Sequence, residues 1–379
     1  MDVAPYFIPT LLLIFHIYLV IVAQNFTLSL WILYVLIPLL DYLLPIDHSN
    51  LNDVDARIFE KDWRFTVPLY LFWGIDFAFH FHMVYMMGKG KIALSCLQYF
   101  MLVLGNAQYG GINATIGHEL LHRRNIRDKV LGTLSYSKMI YSHYFIQHVR
   151  SHHKIVGTPG DSSTGRYGES VFAYYLRALP QGFIEVWHFE SERLTREKKS
   201  SYSPLENRLI WFNILHIVYL AAVFSIFGYD GLKYHLIYSL TVVLIFEAVN
   251  YIEHYALVRK IDANGNYESI NIKHSWNAPQ VLTNYLLFKL QRHSDHHANV
   301  YKPYQILNSY PESPMLPYGY SVSLILALIP PVWFRVLDPM AIATNKDEKL
   351  SEKQKSQIEQ IVKTTLIVTS SLMTYLLIL

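Results

Sequence analysis

The chain has 379 residues, of which 52% are hydrophobic and 16% charged, and it carries a formal charge of +3. Its one cysteine, Cys96, excludes an intrachain disulfide and any thiolate metal cage within one chain. So small a net charge says little by itself, and no nucleic-acid partner is expected.

In chain order, apolar runs cover 7–23, 28–45, 66–87, 92–113, 208–228 and 233–253. Each is long enough, or nearly so, to cross a hydrocarbon core that takes about 20 apolar residues per helix. Soluble folds rarely carry six such stretches, so six transmembrane helices in an all-α membrane protein are expected. Only Asp2 precedes the first run as a charge, which predicts a retained helix rather than a cleaved signal peptide. With the N-terminus inside, loops 46–65, 117–207 and 254–320 share one face and carry 3, 13 and 6 Lys+Arg. The opposite loops hold only Lys89 and Lys91, so the large loops are assigned to the cytosol or matrix. Positive-inside bias explains most of this, and the same face suits anionic lipid headgroups or an acidic soluble partner.

Beyond Tyr320 the run SVSLILALIPPVWF is too short to span and is broken by Pro330 and Pro331, as in a re-entrant or interfacial segment. Residues 343–360 are charged and read as a linker, solvated or helical. The tail 361–379 is apolar except for Lys363 and suits a further span or an interfacial helix. The chain thus divides into a membrane domain over 1–342, a charged linker over 343–360 and a hydrophobic segment over 361–379.

Nine of the 18 histidines fall in four places on the large-loop side. "GHELLHRR" gives His118 and His122 at i and i+4, one helix face. "QHVRSHH" gives His148, His152 and His153, "NYIEHYAL" gives His254, and "LQRHSDHH" gives His293, His296 and His297. Alone, each piece is weak: HExxH with Glu119 as base fits a zinc peptidase, and a lone HxxxH is often a polar helix face. Together, nine imidazoles at one membrane level would repel when protonated and waste hydrogen bonds when neutral, and a metal removes both problems. A zinc site takes three or four ligands. Nine nitrogens divide more naturally between two ions, and imidazoles, which resist oxidation better than thiolates, suit iron and dioxygen.

Glu119, Glu253 and Asp295 neighbour these histidines in sequence and are candidates to accept their outer N–H groups. His274 and His143 are further candidates. Glu247, Asn250 and His254 follow i, i+3, i+7 in the sixth run, and Asp76, His80 and His82 lie in the third. Polar groups there read as functional or as helix-packing hydrogen bonds.

These residues resemble the integral-membrane alkane monooxygenases, di-iron enzymes that hydroxylate the terminal carbon of n-alkanes. The similarity runs from about residue 30 to 340 through "PLLDYLL", "GHELLHRR", "HVRSHH", "RYGES", "NYIEHYALVR", "HSWN", "TNYLLF", "LQRHSDHHAN" and "WFRVLDP". HSWN and QRHSDHHA separate this family from the fatty-acid desaturases, which share only looser histidine boxes. The resemblance implies two iron ions on the nine histidines, dioxygen as co-substrate, and an apolar channel for a long substrate. It also implies electrons from a rubredoxin- or ferredoxin-type donor with its reductase. The chain departs from the pattern at Gln147, where the family usually has Glu, at Ser162, where proline is usual, and in the tail 361–379.

With no GxGxxG and no CxxC, the chain carries no nicotinamide or flavin fingerprint and no fused rubredoxin. Three alternatives stand beside the alkane reading. They are a fatty-acyl hydroxylase or desaturase, a non-catalytic subunit meeting other membrane subunits through the C-terminal segment, and a membrane zinc protease.

Overall fold

Lipid offers no partners to backbone N–H and C=O groups, so long apolar runs must satisfy them internally as helices. A computed structural model describes residues 2–378, whose regular elements are all helices, joined by loops that carry isolated bridges such as Asn277–Met315. Helix α1 is Ile8–Ile21, and α2 (Leu28–Trp31) continues through a π turn (Ile32–Leu36) into α3 (Ile37–Leu43). A surface helix α4 (Asp53–Glu60), capped by the Asn52 side chain on the Asp55 N–H, leads to α5 (Val67–Gly88). Helix α6 (Cys96–His122) starts in a capping box: Ser95 Oγ accepts from the Gln98 N–H, and Gln98 Oε1 accepts from the Ser95 N–H. Its C-terminal half is buried by α5, α7 (Ile126–Lys138) and α11 (Arg208–His254).

Between α7 and α11 come short α8 (Tyr144–Ile146), a π turn (Gln147–His152), α9 (His153–Ile155) and the long α10 (Val171–Arg196). Helix α11 reverses at Gly228, whose φ of 75° and ψ of −173° are open to glycine. A straight helix would separate Tyr219 from His235 by roughly 24 Å, yet their rings lie 5.1 Å apart, so the two arms fold back on each other. Gly88 permits the approach of α5 to this bend, because a β-carbon there would meet the Phe227 carbonyl oxygen at 2.0 Å. By length and composition, two helices are able to cross a membrane, Ala4–Ile21 and Arg208–His254.

Polar side chains in these helices pair with one another. His16 meets Asn106 at 2.7 Å, and Asn106 donates to Tyr234 at 2.7 Å. His80 meets His235 at 2.9 Å, Asp76 pairs with Lys138, and His82 is exposed. Glu247 accepts from Tyr141 at 2.9 Å, Tyr174 at 2.8 Å and Asn250 at 3.2 Å.

After α11 the chain forms α12 (Val281–Leu286), α13 (His293–Ala298), α14 (Gly319–Ala327), α15 (Pro330–Asn345) and α16 (Glu352–Ile378). The stretch expected to be re-entrant is two helices. They break at Ile329 because Pro330 and Pro331 lack N–H groups and start the next helix. The expected linker 343–360 is mostly helix as well: α15 runs to Asn345, and α16 starts at Glu352 and continues without a break into the apolar tail. Ser351 and Gln354 cap it, and Lys355–Glu352 (2.7 Å) and Lys363–Glu359 (2.6 Å) support its first turns. The boundary at 360/361 is thus a change of polarity within one helix. Val362 and Ile358 are buried, and Trp31 donates to Thr374 at 2.9 Å, so one face of α16 packs within its own chain.

The large-loop face is held by ion pairs. Glu190 accepts from Arg193 at 3.0 Å and from the Arg208 backbone N–H at 3.0 Å. Burial alone would raise its pKa, but the Arg208 and Arg193 guanidinium groups outweigh that and hold it at about 2. A depressed carboxyl pKa adds stability above the unfolded value of 4.5, lost as pH falls from there towards 2. Glu190→Gln is therefore expected to lower the melting temperature at pH 7 and to flatten its fall between pH 5 and pH 3. Parallel melting curves for both proteins over that range would refute the pairing.

Candidate metal centre

Helix α6 outruns its apolar stretch and carries His118 and His122 on one face beyond it. The π turn at Gln147–His152 changes the facing of the next three histidines. His148 and His153 turn to one side, and His152 turns to the other. His254 closes α11, and α13 sends His296 one way and His293 and His297, at i and i+4, the other. Two groups result: His118, His122, His148, His153 and His296, and beside them His152, His254, His293 and His297. Within each group one ring nitrogen from each residue lies within 4.8 Å of the others, and all nine residues are buried.

Three rings show how the groups are oriented. His152 Nδ1 faces Asp161 at 3.0 Å, His148 Nδ1 faces the Tyr144 hydroxyl at 2.9 Å, and His254 Nδ1 faces the His274 carbonyl at 3.3 Å. Their Nε2 atoms point inward. The inner nitrogens of His118, His152 and His296 have no hydrogen-bond partner, and others abut ring to ring, as His148 and His122 do at 3.0 Å. Buried polar atoms without partners are costly. Burial, with His152 adding repulsion against the opposite pull of Asp295, takes His296 down to about 3, so this ring is neutral near pH 7. Neutral imidazoles fixed from outside with lone pairs aimed inward are what metal ligation requires. The donor set fits a metal.

The sequence neighbours of these histidines divide. Glu253 Oε1 approaches His293 Nδ1 at 3.4 Å and accepts from Tyr320 at 2.8 Å. Glu119 instead pairs with Arg123 at 3.0 Å and lines the same small cleft as His118 and His296. Asp295 accepts from Lys302 at 2.5 Å, Asn299 at 2.7 Å and the Asn308 N–H at 2.6 Å, and so fixes the following loop. His274 contributes its carbonyl, while its ring meets Glu268 at 3.3 Å. His143 lies outside both groups, against Tyr141 and Phe183. Gln147 donates to Ser162 at 2.7 Å, and Ser162 donates to Glu185 at 2.7 Å, so a carboxylate stands one hydroxyl away from the departed glutamate. Asp161 and Tyr144 were not singled out as partners of histidines by sequence.

The remaining motifs hold this arrangement. Trp276 of HSWN donates to the Tyr255 carbonyl at 2.9 Å, next to His254. Asn277 grips Ser294 in α13, its Oδ1 accepting from the Ser294 N–H at 2.9 Å. Asp41 of PLLDYLL accepts from Thr283 at 2.8 Å and Ser321 at 2.7 Å, tying α3 to α12 and α14.

An apolar cavity of about 110 Å³ lies between α3, α6, α11 and α14, bordered by Leu33, Ile37, Ile112, Ile245 and Leu324. Thr115 and Leu287 line it and also line a small cleft on His118 and His296. Two wall residues of the apolar cavity thus also border the first histidine group.

The fatty acid desaturase family pattern matches residues 94–321. Alkane 1-monooxygenase 2 of Alcanivorax borkumensis is 35% identical over 324 residues, 84% of either chain. Alkane 1-monooxygenase of Pseudomonas putida is 32% identical over 341 residues, 89% of this chain and 83% of that one. Alkane 1-monooxygenase 1 of Pseudomonas aeruginosa is 39% identical over 230 residues, 61% of this chain and 60% of its own.

Proposed function

The chain belongs to the alkane monooxygenases of the fatty acid desaturase family, and from that premise we propose that it hydroxylates the terminal methyl of a long apolar substrate, an n-alkane. The observation that carries the reading is the juxtaposition of nine grouped, buried histidines with an apolar cavity whose wall residues Thr115 and Leu287 also border His118 and His296.

The two groups are the sites of two iron ions, held by His118, His122, His148, His153 and His296 and by His152, His254, His293 and His297. When bound, the irons supply the activation of dioxygen that alkane hydroxylation requires. The residues do the rest. Asp161, Tyr144 and the His274 carbonyl fix three ring orientations, and Glu253 offsets positive charge beside His293. Leu287 and Thr115 narrow the approach so that a chain end reaches His118 before an internal methylene can. That positioning opposes the weaker internal C–H bonds.

The overall reaction is RH + O2 + 2 e⁻ + 2 H⁺ giving ROH + H2O. Its electrons come from a rubredoxin- or ferredoxin-type donor. The cleft lined by Lys61, Arg123, Arg124 and Lys302, whose four positive groups face two acidic ones, Glu60 and Asp62, and with Trp63 exposed at its rim, is the docking place in this reading. Arg123 follows His122 directly, which keeps the path short. A donor KM that does not rise with ionic strength would move docking elsewhere.

The six apolar runs, in α1, α2–α3, α5, α6 and the two arms of α11, serve as the transmembrane spans, with the histidines on the cytosolic or matrix side. Labelling of Ser200→Cys in a Cys96→Ser background from the opposite side would reverse this orientation. Conversion of n-alkanes to 1-alkanols, dependent on both dioxygen and reduced donor, tests the activity. Alkenes, or turnover of acyl chains alone, would assign the chain to desaturation or acyl hydroxylation. Leu287→Trp is expected to reduce turnover of long alkanes roughly tenfold or more by filling the neck, with metal content retained. Equal turnover in that variant would reroute the substrate.

A further inference from the structure

Helix α10 lies along the segment that carries Asp161. Arg177 donates to the Ser162 and Thr164 carbonyls at 3.0 Å each and pairs with Glu169 at 2.7 Å. Just over two turns further on, roughly 12 Å along the helix axis, Glu185 reaches this segment and the π turn together. Its Oε2 accepts from Ser162 at 2.7 Å, next to Asp161, and its Oε1 accepts from Ser151, next to His152. Asp161 and His152 face each other at 3.0 Å. Glu185 therefore touches the chain neighbours of both members of that pair. Gly182, one turn earlier on α10, permits the approach, because a β-carbon there would meet the Gln147 amide nitrogen at 2.7 Å.

Glu190, on the same helix, has Arg193 and Arg208 as partners. Among the described residues, no lysine or arginine pairs with Glu185, and a partly buried anion without a cation is costly. The hydrogen bonds also have a direction. Ser162 accepts from Gln147 Nε2 at 2.7 Å, so its own proton goes to Glu185, and the chain from Gln147 through Ser162 has its negative end on α10. Gln147 Oε1, at the other end, has no partner. Burial holds the Glu185 carboxyl above its ordinary range against the two hydroxyls, and His152 pulls it down from behind Ser151. A cation beyond His152 strengthens that pull and supplies the missing partner.

We infer that Glu185 is a positioning residue of the metal centre, a carboxylate on α10 that offsets the charge of the ions from behind Ser151 and Ser162 and holds the His152–Asp161 pair in place. This rests on the metal reading above. Glu185 ligates no ion and touches no substrate. What the centre needs from it is one negative charge on the hydrogen-bonded chain through Ser162, and the chain works with its polarity reversed. In the double variant Gln147→Glu/Glu185→Gln, the amide at 185 accepts from Ser151 and donates to Ser162. Ser162 then donates to the carboxylate at 147, so every link is kept and the charge has only changed ends.

The test uses purified full-length protein loaded with iron. Iron affinity, by chelator competition, and the reduction potential of the bound iron are measured for wild type, Glu185→Gln and the double variant. Glu185→Gln should weaken iron binding roughly tenfold, the low end of the range for a lost outer partner. It should also raise the potential, since removing a negative charge disfavours the more oxidised, more positive ions. The double variant should bring affinity back to within about threefold of wild type, because the charge is restored to the chain, and should return the potential to its original value. A purely structural role would lower the melting temperature and leave the potential where it was. If Glu185→Gln fails to fold, the double variant decides: folded protein with wild-type affinity and potential upholds the inference, and a second failure overturns it. Unchanged affinity and potential in Glu185→Gln, or a double variant no better than the single one, also overturns it while wild type still holds its iron. Wild type that takes up no iron overturns the metal reading as well.

Discussion

Alanine in place of His296 is expected to yield a helical, membrane-inserted protein that binds less iron and has lost hydroxylation on the order of 100-fold or more. His296 belongs to the five-membered group, its Nε2 has no partner within the protein, and its ring lies 4.6 Å from those of both His118 and His122. Removing it subtracts a ligand, an effect larger than the roughly 10- to 100-fold cost of losing an outer partner. It breaks no protein hydrogen bond at that nitrogen, so the fold should survive. Iron content, far-UV circular dichroism and turnover on one preparation separate the two effects. Unchanged iron and activity would remove His296 from the centre.

The second large effect is expected at a residue that is not a ligand. Asp161→Asn should weaken metal binding about 10- to 100-fold, because the carboxylate that fixes His152 Nδ1 at 3.0 Å loses its charge. Glu119→Gln, although it alters the neighbour of His118, should leave metal affinity within about threefold. It should lower the melting temperature instead, since the partly buried Arg123 loses its nearest carboxylate. Chelator competition and thermal melting on the two variants read these quantities independently. Equal metal loss in both would show that proximity in sequence, and not the observed hydrogen bonds, governs the centre.

That contrast explains what the sequence made legible. The nine histidines that the structure groups stand in short motifs of the sequence: His118, His122 and His254 end helices whose apolar runs announce where they stop, and the other six stand out only by their close spacing. Their supporting partners are less legible. Glu119 and Asp295, each next to a grouped histidine, pair with Arg123 and Lys302, whereas Glu253, next to His254, reaches the more distant His293. Asp161 arrives from a turn eight residues beyond His153 and carries no periodic signal. Gln147 looked like a missing charge, but Glu185, on a different helix, stands behind Ser162. The C-terminal boundary marks a change of polarity and not an end of helix. Polarity changes at 360, yet charged residues with i, i+4 partners are good helix formers, so α16 passes through the change. Apolar runs located the helices closely, as α5 at Val67–Gly88 fits the run 66–87.

The most direct measurement is the metal count of the purified full-length protein from iron-replete cells. Two irons per chain and negligible zinc are predicted, with iron falling in step with activity on chelation. One zinc per chain, or fully folded protein that takes up no metal when iron is supplied, would contradict the account.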